Sequence, residues 1–168
     1  RILIIGCPGS GKSTLARRLS EQTGLPIVHL DALYWLPGWI ERSREDFDAL
    51  LQDELEKPRW IIDGNYTRTL AMRLEKCDAV IWLDYGRLNC LTGVLKRILT
   101  HIGRVRPDMG AGCPERFNAK FLRYVWTFRK NNNAKIADRI AHAPQAAVLR
   151  ASSRRELNRR LGAFLAEK

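Results

Sequence analysis

The chain has 168 residues, of which 45% are hydrophobic and 28% charged. This length fits one globular domain of roughly 150 residues. The composition excludes a disordered chain, a collagen-like repeat or a disulfide scaffold. Every apolar run is far shorter than the roughly 20 residues of a membrane span, and no signal peptide opens the chain, so we expect a cytoplasmic protein. The net charge of +11 is unevenly distributed along the chain. Residues 1–84 hold 11 Lys and Arg against 13 Asp and Glu, whereas residues 85–168 hold 18 against 5. The excess of positive charge in the second half indicates nucleic acid, a membrane surface or a phosphorylated small molecule as partner.

Short apolar runs alternate along the chain with longer amphipathic stretches. The runs predict strands at residues 1–5, 27–30, 60–62, 79–83 and 146–149. The amphipathic stretches predict helices at residues 12–23, 43–56, 87–100, 115–130 and 153–167. Ser43 is expected to cap the second helix, with Asp46 three residues further on. This alternation favours an α/β fold in which helices cover both faces of a parallel sheet.

The segment between the first strand and the first helix, residues 6–13, fits the pattern G-x-x-x-x-G-K-[ST] of a phosphate-binding loop. Its glycines let backbone N–H groups turn toward phosphate oxygens, and the positive end of the following helix adds to their attraction. Lys12 is expected to reach the β- and γ-phosphates of ATP, and the Ser13 hydroxyl to bind Mg²⁺. The predicted nucleotide-binding residues are Gly6, Pro8, Gly9, Ser10, Gly11, Lys12, Ser13 and Thr14.

A carboxylate for the Mg²⁺ ion is expected close to the phosphate-binding loop, at the end of a strand. Asp63 follows the third strand and precedes Gly64, and Asp84 follows the fourth strand. We prefer Asp63 as the metal-side carboxylate and expect Asp84 to cap the next helix.

A segment rich in glycine and proline, residues 103–114, lies between the third and fourth helices. An irregular segment of this length is more often functional than accidental. It carries Arg104 and Arg106, with Arg97 just upstream, and at least one of these guanidinium groups is expected to clamp phosphate. Because Asp108 is their only acidic neighbour in the segment, Arg104 and Arg106 are expected to stay solvated until nucleotide binds and the segment closes.

The four cysteines are widely spaced and form no C-x-x-C pair. They are expected to be reduced thiols in or near the core. A zinc site is not favoured, because the spacing of Cys90, His101 and Cys113 fits no zinc pattern.

Three parts of the chain resemble the adenylate-kinase-related P-loop kinases, namely the loop at residues 6–13, the segment at residues 60–69, and the arginines Arg97, Arg104 and Arg106. The segments similar to bacterial DNA topology modulation proteins, a narrower group, are residues 29–35, 63–66 and 106–109. The resemblance covers nearly the whole chain. It implies a single P-loop NTPase domain, residues 1–168, with a five-stranded parallel sheet in the order 2-3-1-4-5 and a mobile lid at about residues 97–114. It also implies that the positions after strands 2 and 3 receive the phosphoryl acceptor.

The chain departs from the adenylate kinase pattern on the acceptor side. Asp63 begins a segment that matches D-G-F-P-R-T in an adenylate kinase, and Arg68 matches its arginine with one extra residue in between. After strand 2, where an adenylate kinase has a Thr-Ser-Gly-type phosphate site, this chain has Asp31 followed by Tyr34 and Trp35. The resemblance therefore does not carry AMP over as the acceptor.

Asp31 is expected to emerge at the carboxyl edge of the sheet, where α/β folds bind ligands. A carboxylate there suits a hydroxyl acceptor, whose proton it can accept. Hydroxyl kinases of the uridine kinase type carry a similar L-D-x-[FL]-Y segment. Two alternatives stay open for Asp31, a metal-side carboxylate and a helix cap.

The remaining aromatic and basic side chains receive mostly structural interpretations. Trp35 and Trp39 either stack on an acceptor ring or pack in the core. A stripe at helical spacing is expected in the core, namely Phe121, Tyr124, Val125 and Phe128. The basic residues assigned to the terminal helix are expected to be solvated, with nucleic-acid contact as the minority alternative: Arg150, Arg154, Arg155, Arg159 and Arg160. The three histidines, which are given no chemistry, are His29, His101 and His142.

The sequence therefore predicts an ATP- and Mg²⁺-dependent phosphotransferase that moves the γ-phosphoryl group to a small molecule, with nucleosides and nucleotides among the candidate acceptors. The predicted catalytic residues are Lys12, Asp31, Arg97, Arg104 and Arg106, and the predicted metal-side residues are Ser13 and Asp63. The alternative is a nucleic-acid-associated ATP-binding protein or ATPase that affects DNA topology and uses the basic half, residues 85–168. No membrane partner is expected, and both a monomer and a homodimer stay open.

Overall fold

The computed structural model describes residues 1–166. Within them the strands are β1 (Ile2–Gly6), β2 (Ile27–His29), β3 (Trp35–Leu36), β4 (Ile40–Glu41), β5 (Ile61–Asp63), β6 (Ala79–Leu83) and β7 (Ala147–Ala151). The helices are α1 (Lys12–Thr23), α2 (Leu30–Tyr34), α3 (Arg44–Glu56), α4 (Leu70–Lys76), α5 (Arg87–His101), α6 (Ala119–Ala141) and α7 (Arg154–Ala166). Over this part of the chain, no helix combines the length and the hydropathy that a membrane crossing requires.

Five of the strands form a parallel sheet in the order β2-β5-β1-β6-β7. Numbered among themselves along the chain, these strands have the order 2-3-1-4-5, so the predicted fold class is confirmed. The central strands β1 and β6 are buried along their whole length, as expected for a parallel sheet covered on both faces. The other two strands, β3 and β4, form a small antiparallel hairpin after α2.

Local sequence signals set the ends of α1 and α3. Gly24 adopts a left-handed conformation with φ 67° and donates its N–H to the carbonyl oxygen of Ser20, which ends α1. The Ser43 hydroxyl accepts the N–H of Asp46 at 3.0 Å, so the predicted cap of α3 is confirmed. The apolar residue Leu19 of α1 is fully buried against the sheet.

The segment after β2 differs from the prediction of a strand over residues 27–30. β2 ends at His29, and Leu30 begins α2 with its side chain fully buried. A five-residue helix is too short to show a 3.6-residue period, which explains why the hydrophobic pattern missed it.

Helix α6 lies further along the chain than the predicted helix at residues 115–130. Asn118 sets its start, because its side chain accepts the N–H of Phe121 at 3.1 Å. The helix then continues through three successive asparagines, which are poor helix formers. Tertiary contacts override this local preference, because Ile136 is buried and the Asn133 side chain donates to Asp84.

The last strand and helix also shift relative to the sequence prediction. β7 extends to Ala151, so Arg150 lies on this strand and its assignment to the terminal helix is wrong. Helix α7 begins at Arg154, and residue 167 of the predicted helix lies outside the described residues.

The lid segment, which we define as residues 102–118 between α5 and α6, lies against the β3–β4 hairpin. Gly38 donates its N–H to the Gly112 carbonyl at 2.9 Å, and Trp39 Nε1 donates to the Pro114 carbonyl at 3.0 Å. A Cβ atom at Gly110 would stand 2.6 Å from the Trp35 carbonyl oxygen, so this approach requires glycine. The lid segment and the hairpin are therefore joined through their backbones.

Candidate active site

The phosphate-binding loop connects β1 to α1, as predicted, and packs closely against α5. Gly9 and Gly11 adopt left-handed conformations with φ 82° and 94°. A Cβ atom on Gly9 would meet the Cys90 carbonyl oxygen at 2.1 Å, and a Cβ atom on Gly93 would meet the Gly9 carbonyl oxygen at 2.1 Å. Gly93 thus belongs to the loop's packing. No sequence pattern pointed to Gly93, because a lone glycine within a helix carries no motif.

The Lys12 side chain folds back over the loop. Its Nζ donates to the carbonyl oxygens of Gly6 at 2.8 Å and Cys7 at 3.2 Å. Burial lowers the pKa of Lys12, and the negative charges of Asp63 and Asp31 oppose that shift. An ammonium group held at the loop by weak carbonyl contacts can exchange them for phosphate oxygens.

Asp63 ends β5 and lies in the same cavity as Ser13. Its Oδ1 lies 2.6 Å from Nδ1 of His29, at the end of the neighbouring strand β2. Burial lowers the pKa of His29, but the hydrogen bond and charge of Asp63 outweigh it and raise the pKa overall. The sequence predicted no chemical role for His29. The parallel pairing of β2 with β5 is what places it beside Asp63.

Ser13 and Asp63 offer a hydroxyl and a carboxylate oxygen, which are ligands that suit a hard cation such as Mg²⁺. Within residues 1–166, no group of three or more His, Cys, Asp and Glu side chains forms a metal site. Mg²⁺ usually keeps several waters and binds one or two carboxylates together with substrate phosphates, so two protein oxygens beside the loop fit it.

Asp84 has a different role from the predicted helix cap, and that prediction is wrong. The residue before α5 is Gly86, and no side chain caps this helix. Asp84 is buried and accepts hydrogen bonds from Arg150 and Asn133, each at 2.5 Å, while Arg129 lies at 3.2 Å. These partners come from α6 and β7, which explains why the neighbouring sequence gave no indication of them. Arg150 is therefore paired with Asp84, although its side chain remains exposed.

Asp31 lies in the first turn of α2 and lines the same cavity as the loop. Its Oδ1 accepts a hydrogen bond from the Tyr66 hydroxyl at 2.8 Å. Burial raises the pKa of Asp31, and the Tyr66 hydrogen bond and the charge of Lys12 oppose the rise. The residue before α2 is His29 and no side chain caps this helix, so the helix-cap alternative for Asp31 is wrong.

Aromatic side chains surround Asp31 in the cavity, whose volume is about 1120 Å³. Tyr34 packs edge-on against Trp35, with ring centroids 5.1 Å apart, and Trp35 packs against Trp39 at 5.4 Å. Tyr66 lies 4.9 Å from Tyr34, which closes the aromatic wall next to Asp31. Both tryptophans line the cavity and neither is fully buried.

Two of the three predicted arginines reach the cavity. Arg97 and Arg106 line it, whereas Arg104 is exposed and does not. Arg104 follows the turn at Gly103, whose φ of 74° directs the chain away from α5. The prediction of Arg104 as a residue in contact with phosphate has no support in this arrangement.

Arg106 is bound by acidic side chains, so the expectation of a solvated pair of arginines is wrong. Its Nη1 donates to Asp108 at 2.5 Å, and its Nε lies 2.9 Å from Glu115. Glu115 is only 4% exposed and also lies 3.0 Å from Arg97 Nε. Glu115, which lies just past the predicted lid, was not among the predicted site residues, although it binds both Arg97 and Arg106.

Cys7 of the loop and the other three cysteines are buried free thiols, as expected. A hydrogen bond with Cys90 and burial together raise the pKa of Cys7, which keeps this thiol protonated. The predicted aromatic stripe on α6 divides between two environments. Val125 and Phe128 are buried in the core, while Phe121 and Tyr124 line the cavity.

Comparisons with known proteins agree with this geometry. A family model described as an AAA domain matches residues 2–91. An adenylate kinase from Mycolicibacterium smegmatis is 29% identical over 122 residues, covering 55% of this chain and 67% of that protein. A shikimate kinase structure from Bacteroides thetaiotaomicron has a TM-score of 0.56 at 18% identity, covering 99% of this chain and 98% of that one. A gluconokinase structure from Sinorhizobium meliloti 1021 has a TM-score of 0.55 at 17% identity, covering 99% and 91%.

Proposed function

The chain belongs to the AAA domain family, and we propose that it is an ATP- and Mg²⁺-dependent phosphotransferase that transfers the γ-phosphoryl group to a hydroxyl group of a small molecule. One observation carries this proposal. The Asp31 carboxylate and the phosphate-binding loop line the same cavity, near enough for the charges of Asp31 and Lys12 to affect each other's pKa. A carboxylate facing the phosphates serves an acceptor that must lose a proton, and it would repel an acceptor that is already a phosphate.

The Arg68 side chain supports a hydroxyl acceptor over a phosphate acceptor. It forms two hydrogen bonds of 2.6 Å with the carboxylate of Asp48 on α3. Arg68 does not line the cavity. The arginine that the family resemblance places on the acceptor side is therefore paired with Asp48 outside the cavity, and residues 63–69 hold no other cation.

The proposed transfer needs few covalent steps from the protein. Asp31 orients the acceptor hydroxyl and takes its proton, while the hydroxyl oxygen forms a bond to the γ-phosphorus. The bond from the γ-phosphorus to the bridging oxygen breaks, and ADP leaves. Lys12 and the loop N–H groups hold the phosphates throughout. Ser13 and Asp63 would hold the Mg²⁺ ion, which neutralises phosphate charge when it is bound.

Arg97 and Arg106 are placed to stabilise the charge that spreads over the transferred phosphoryl group. Arg106 must first exchange Asp108 for phosphate oxygens, while Glu115 continues to hold both guanidinium groups. Without nucleotide, Asp108 therefore occupies the guanidinium group of Arg106 that would bind phosphate. The aromatic wall of Trp35 and Trp39 supplies an apolar surface for a ring and limits the access of water.

A panel of acceptors incubated with γ-labelled ATP tests the proposal. The panel pairs neutral alcohols, such as nucleosides and sugars, with the monophosphates of the same compounds. We expect label on a neutral alcohol, and we expect Asp31→Asn to abolish most of it. Label on monophosphates alone would contradict the hydroxyl acceptor, and label released to water alone would indicate an ATPase.

A further inference from the structure

Arg73 of α4 is fully buried, although it carries a charge that no acidic side chain neutralises. None of the ion pairs found in residues 1–166 includes it. Its guanidinium group instead donates to the carbonyl oxygens of Gly64 at 3.1 Å, Asn65 at 2.6 Å and Tyr66 at 2.9 Å. Its Nε donates to the Thr69 carbonyl at 3.3 Å. A buried cation is thus devoted to the carbonyl groups of one turn.

The turn at residues 64–66 has an unfavourable backbone. Gly64 has φ 136°, and a Cβ atom there would stand 2.8 Å from Cβ of Leu30. Tyr66 has φ 25°, which side chains other than glycine rarely adopt. Three consecutive carbonyl groups also point toward one position, where their dipoles repel one another unless a cation lies between them. The Arg73 guanidinium group occupies that position.

The side chains of this turn contact both halves of the candidate active site. Asn65 Oδ1 accepts the N–H of Gly6, the first residue of the phosphate-binding loop, at 3.0 Å. The Tyr66 hydroxyl donates to Asp31 Oδ1 at 2.8 Å. A change in the turn would therefore move a contact to the nucleotide side and a contact to the acceptor side together.

We propose that Arg73 is a positioning residue that fixes the turn at residues 64–66, and through it holds Asn65 against the phosphate-binding loop and Tyr66 against Asp31. The inference deepens the proposed function and rests on it for the catalytic consequence only. The contacts themselves exist whatever the acceptor is.

Arginine is suited to this position in a way that lysine is not. Its planar fork serves several acceptors at once in fixed directions, whereas an ammonium group on a flexible stem cannot reach four carbonyl oxygens in the same geometry. Burial lowers the pKa of Arg73 to about 9, so the guanidinium group is still protonated at neutral pH. We expect Arg73→Lys to keep the charge but loosen the turn.

The titration of the Asp31 carboxyl group, followed by NMR of protein labelled with ¹³C at aspartate side chains, tests the proposal without any substrate. The Tyr66 hydrogen bond lowers the pKa of Asp31, so Tyr66→Phe should move its midpoint upward. Arg73→Lys should move the midpoint in the same direction, and the double variant should move it no further than the larger single effect. Leu74→Ala, at the next buried residue of α4, is the control that lowers thermal stability without moving the titration.

A kinetic measurement separates positioning from folding. We expect Arg73→Lys to reduce phosphoryl transfer by about tenfold to a hundredfold, as misplacement of reacting groups by about an ångström does. Leu74→Ala should leave transfer unchanged at a temperature where it is folded. Asn65→Ala should reproduce the part of the Arg73→Lys effect that appears in KM for ATP.

Two results would overturn the proposal. An Arg73→Lys variant that folds and leaves the Asp31 midpoint at the wild-type value would make Arg73 a purely structural cation. Loss of folding in both Arg73→Lys and Arg73→Gln would assign Arg73 to the core rather than to the turn. A wild-type protein that transfers to no acceptor would contradict the proposed function but would leave the titration result in place.

Discussion

Among the individual residues, Lys12 combines a costly environment with weak protein contacts. Burial lowers the pKa of its ammonium group, and its hydrogen bonds go to two loop carbonyl oxygens rather than to a carboxylate. Such a group adds little to stability, so its value lies in the ligand it can bind. We expect Lys12→Ala to abolish turnover while far-UV circular dichroism and the thermal midpoint stay close to wild type. Lys57→Ala, a surface variant, is the control, and an unchanged rate in Lys12→Ala would remove this residue from the mechanism.

Asp31 and Asp63 are distinguished by their partners. Asp31 accepts a hydrogen bond from a neutral hydroxyl group, whereas Asp63 pairs with His29 beside the loop. We expect Asp31→Asn to reduce phosphoryl transfer by about 10² to 10⁴, the usual contribution of a general base, with ATP affinity retained. Isothermal titration with a nonhydrolysable ATP analogue checks the affinity. Weakened nucleotide binding with normal transfer would place Asp31 on the metal side instead.

The pH dependence of transfer follows from the raised pKa of Asp31. Only the ionised carboxylate accepts a proton, so transfer declines as the pH falls through that pKa. Because burial raises it, we expect the acidic limb of the kcat profile to lie above the ordinary range of an aspartate. The limb should be absent from the residual activity of Asp31→Asn. If the acidic limb has the same midpoint in the wild type and in Asp31→Asn, a group other than Asp31 causes it.

At the scale of secondary structure elements, the phosphate-binding loop and α5 meet through two glycines. Gly93→Ala would place a Cβ atom 2.1 Å from the Gly9 carbonyl oxygen, so we expect a loss of about 1–3 kcal/mol in unfolding free energy from overpacking, together with weaker ATP binding. Urea denaturation and titration with the analogue measure the two effects. Gly162→Ala on the exposed side of α7, with nothing within 4 Å, should instead stabilise the helix by up to about 1 kcal/mol. Equal effects of the two substitutions would contradict the close contact.

The lid segment offers a matched pair of arginines. Arg106 lines the cavity and is bound to Asp108 and Glu115, whereas Arg104 is exposed outside it. We expect hydrogen exchange across residues 103–114 to slow when a nonhydrolysable ATP analogue and Mg²⁺ are added, because phosphate replaces Asp108 at Arg106. Arg106→Ala should remove the slowing and Arg104→Ala should keep it. Exchange that is unaffected by the analogue would contradict the role of this segment as a lid.

Short-range signals predicted much of the fold and the nucleotide side of the site. The strands of the sheet, the loop at residues 6–13 and the cap at Ser43 each depend on neighbours within a few residues. The errors concern groups whose partners are distant in sequence. Asp84 binds Arg150, which lies 66 residues away, and Glu115 binds Arg97 on the preceding helix. Arg73 had no motif at all, because its partners are backbone carbonyl groups.

At the scale of the whole molecule, the family assignment and the fold agree. The similarity to an adenylate kinase and the fold shared with a shikimate kinase confirm the resemblance to adenylate-kinase-related P-loop kinases. The narrower similarity to DNA topology modulation proteins stays a prediction. The arginine excess of the second half is partly engaged inside the protein, since Arg97 and Arg106 share Glu115 while Arg129 and Arg150 share Asp84.

The remaining basic residues are the ones that could bind nucleic acid. Exposed basic side chains on α6, apart from the paired Arg129, are Lys120, Arg123, Lys130 and Lys135. We expect only weak binding to duplex DNA, with a log–log salt slope shallower than the value of about −5 that six phosphate contacts give. Fluorescence anisotropy at rising salt measures this slope. A slope near −5 with affinity retained at physiological salt would favour the nucleic-acid alternative.

The partition of the γ-phosphoryl group between an alcohol and water decides between a hydroxyl kinase and an ATPase. Wild-type protein, ATP labelled at the γ-phosphate, Mg²⁺ and the panel of neutral alcohols are mixed, and labelled product and labelled inorganic phosphate are separated and counted. We expect most of the label on one class of alcohol, and we expect Asp31→Asn to shift the remaining label toward water. Label found only in inorganic phosphate, at a rate that Asp31→Asn does not change, would rule out transfer to a hydroxyl group.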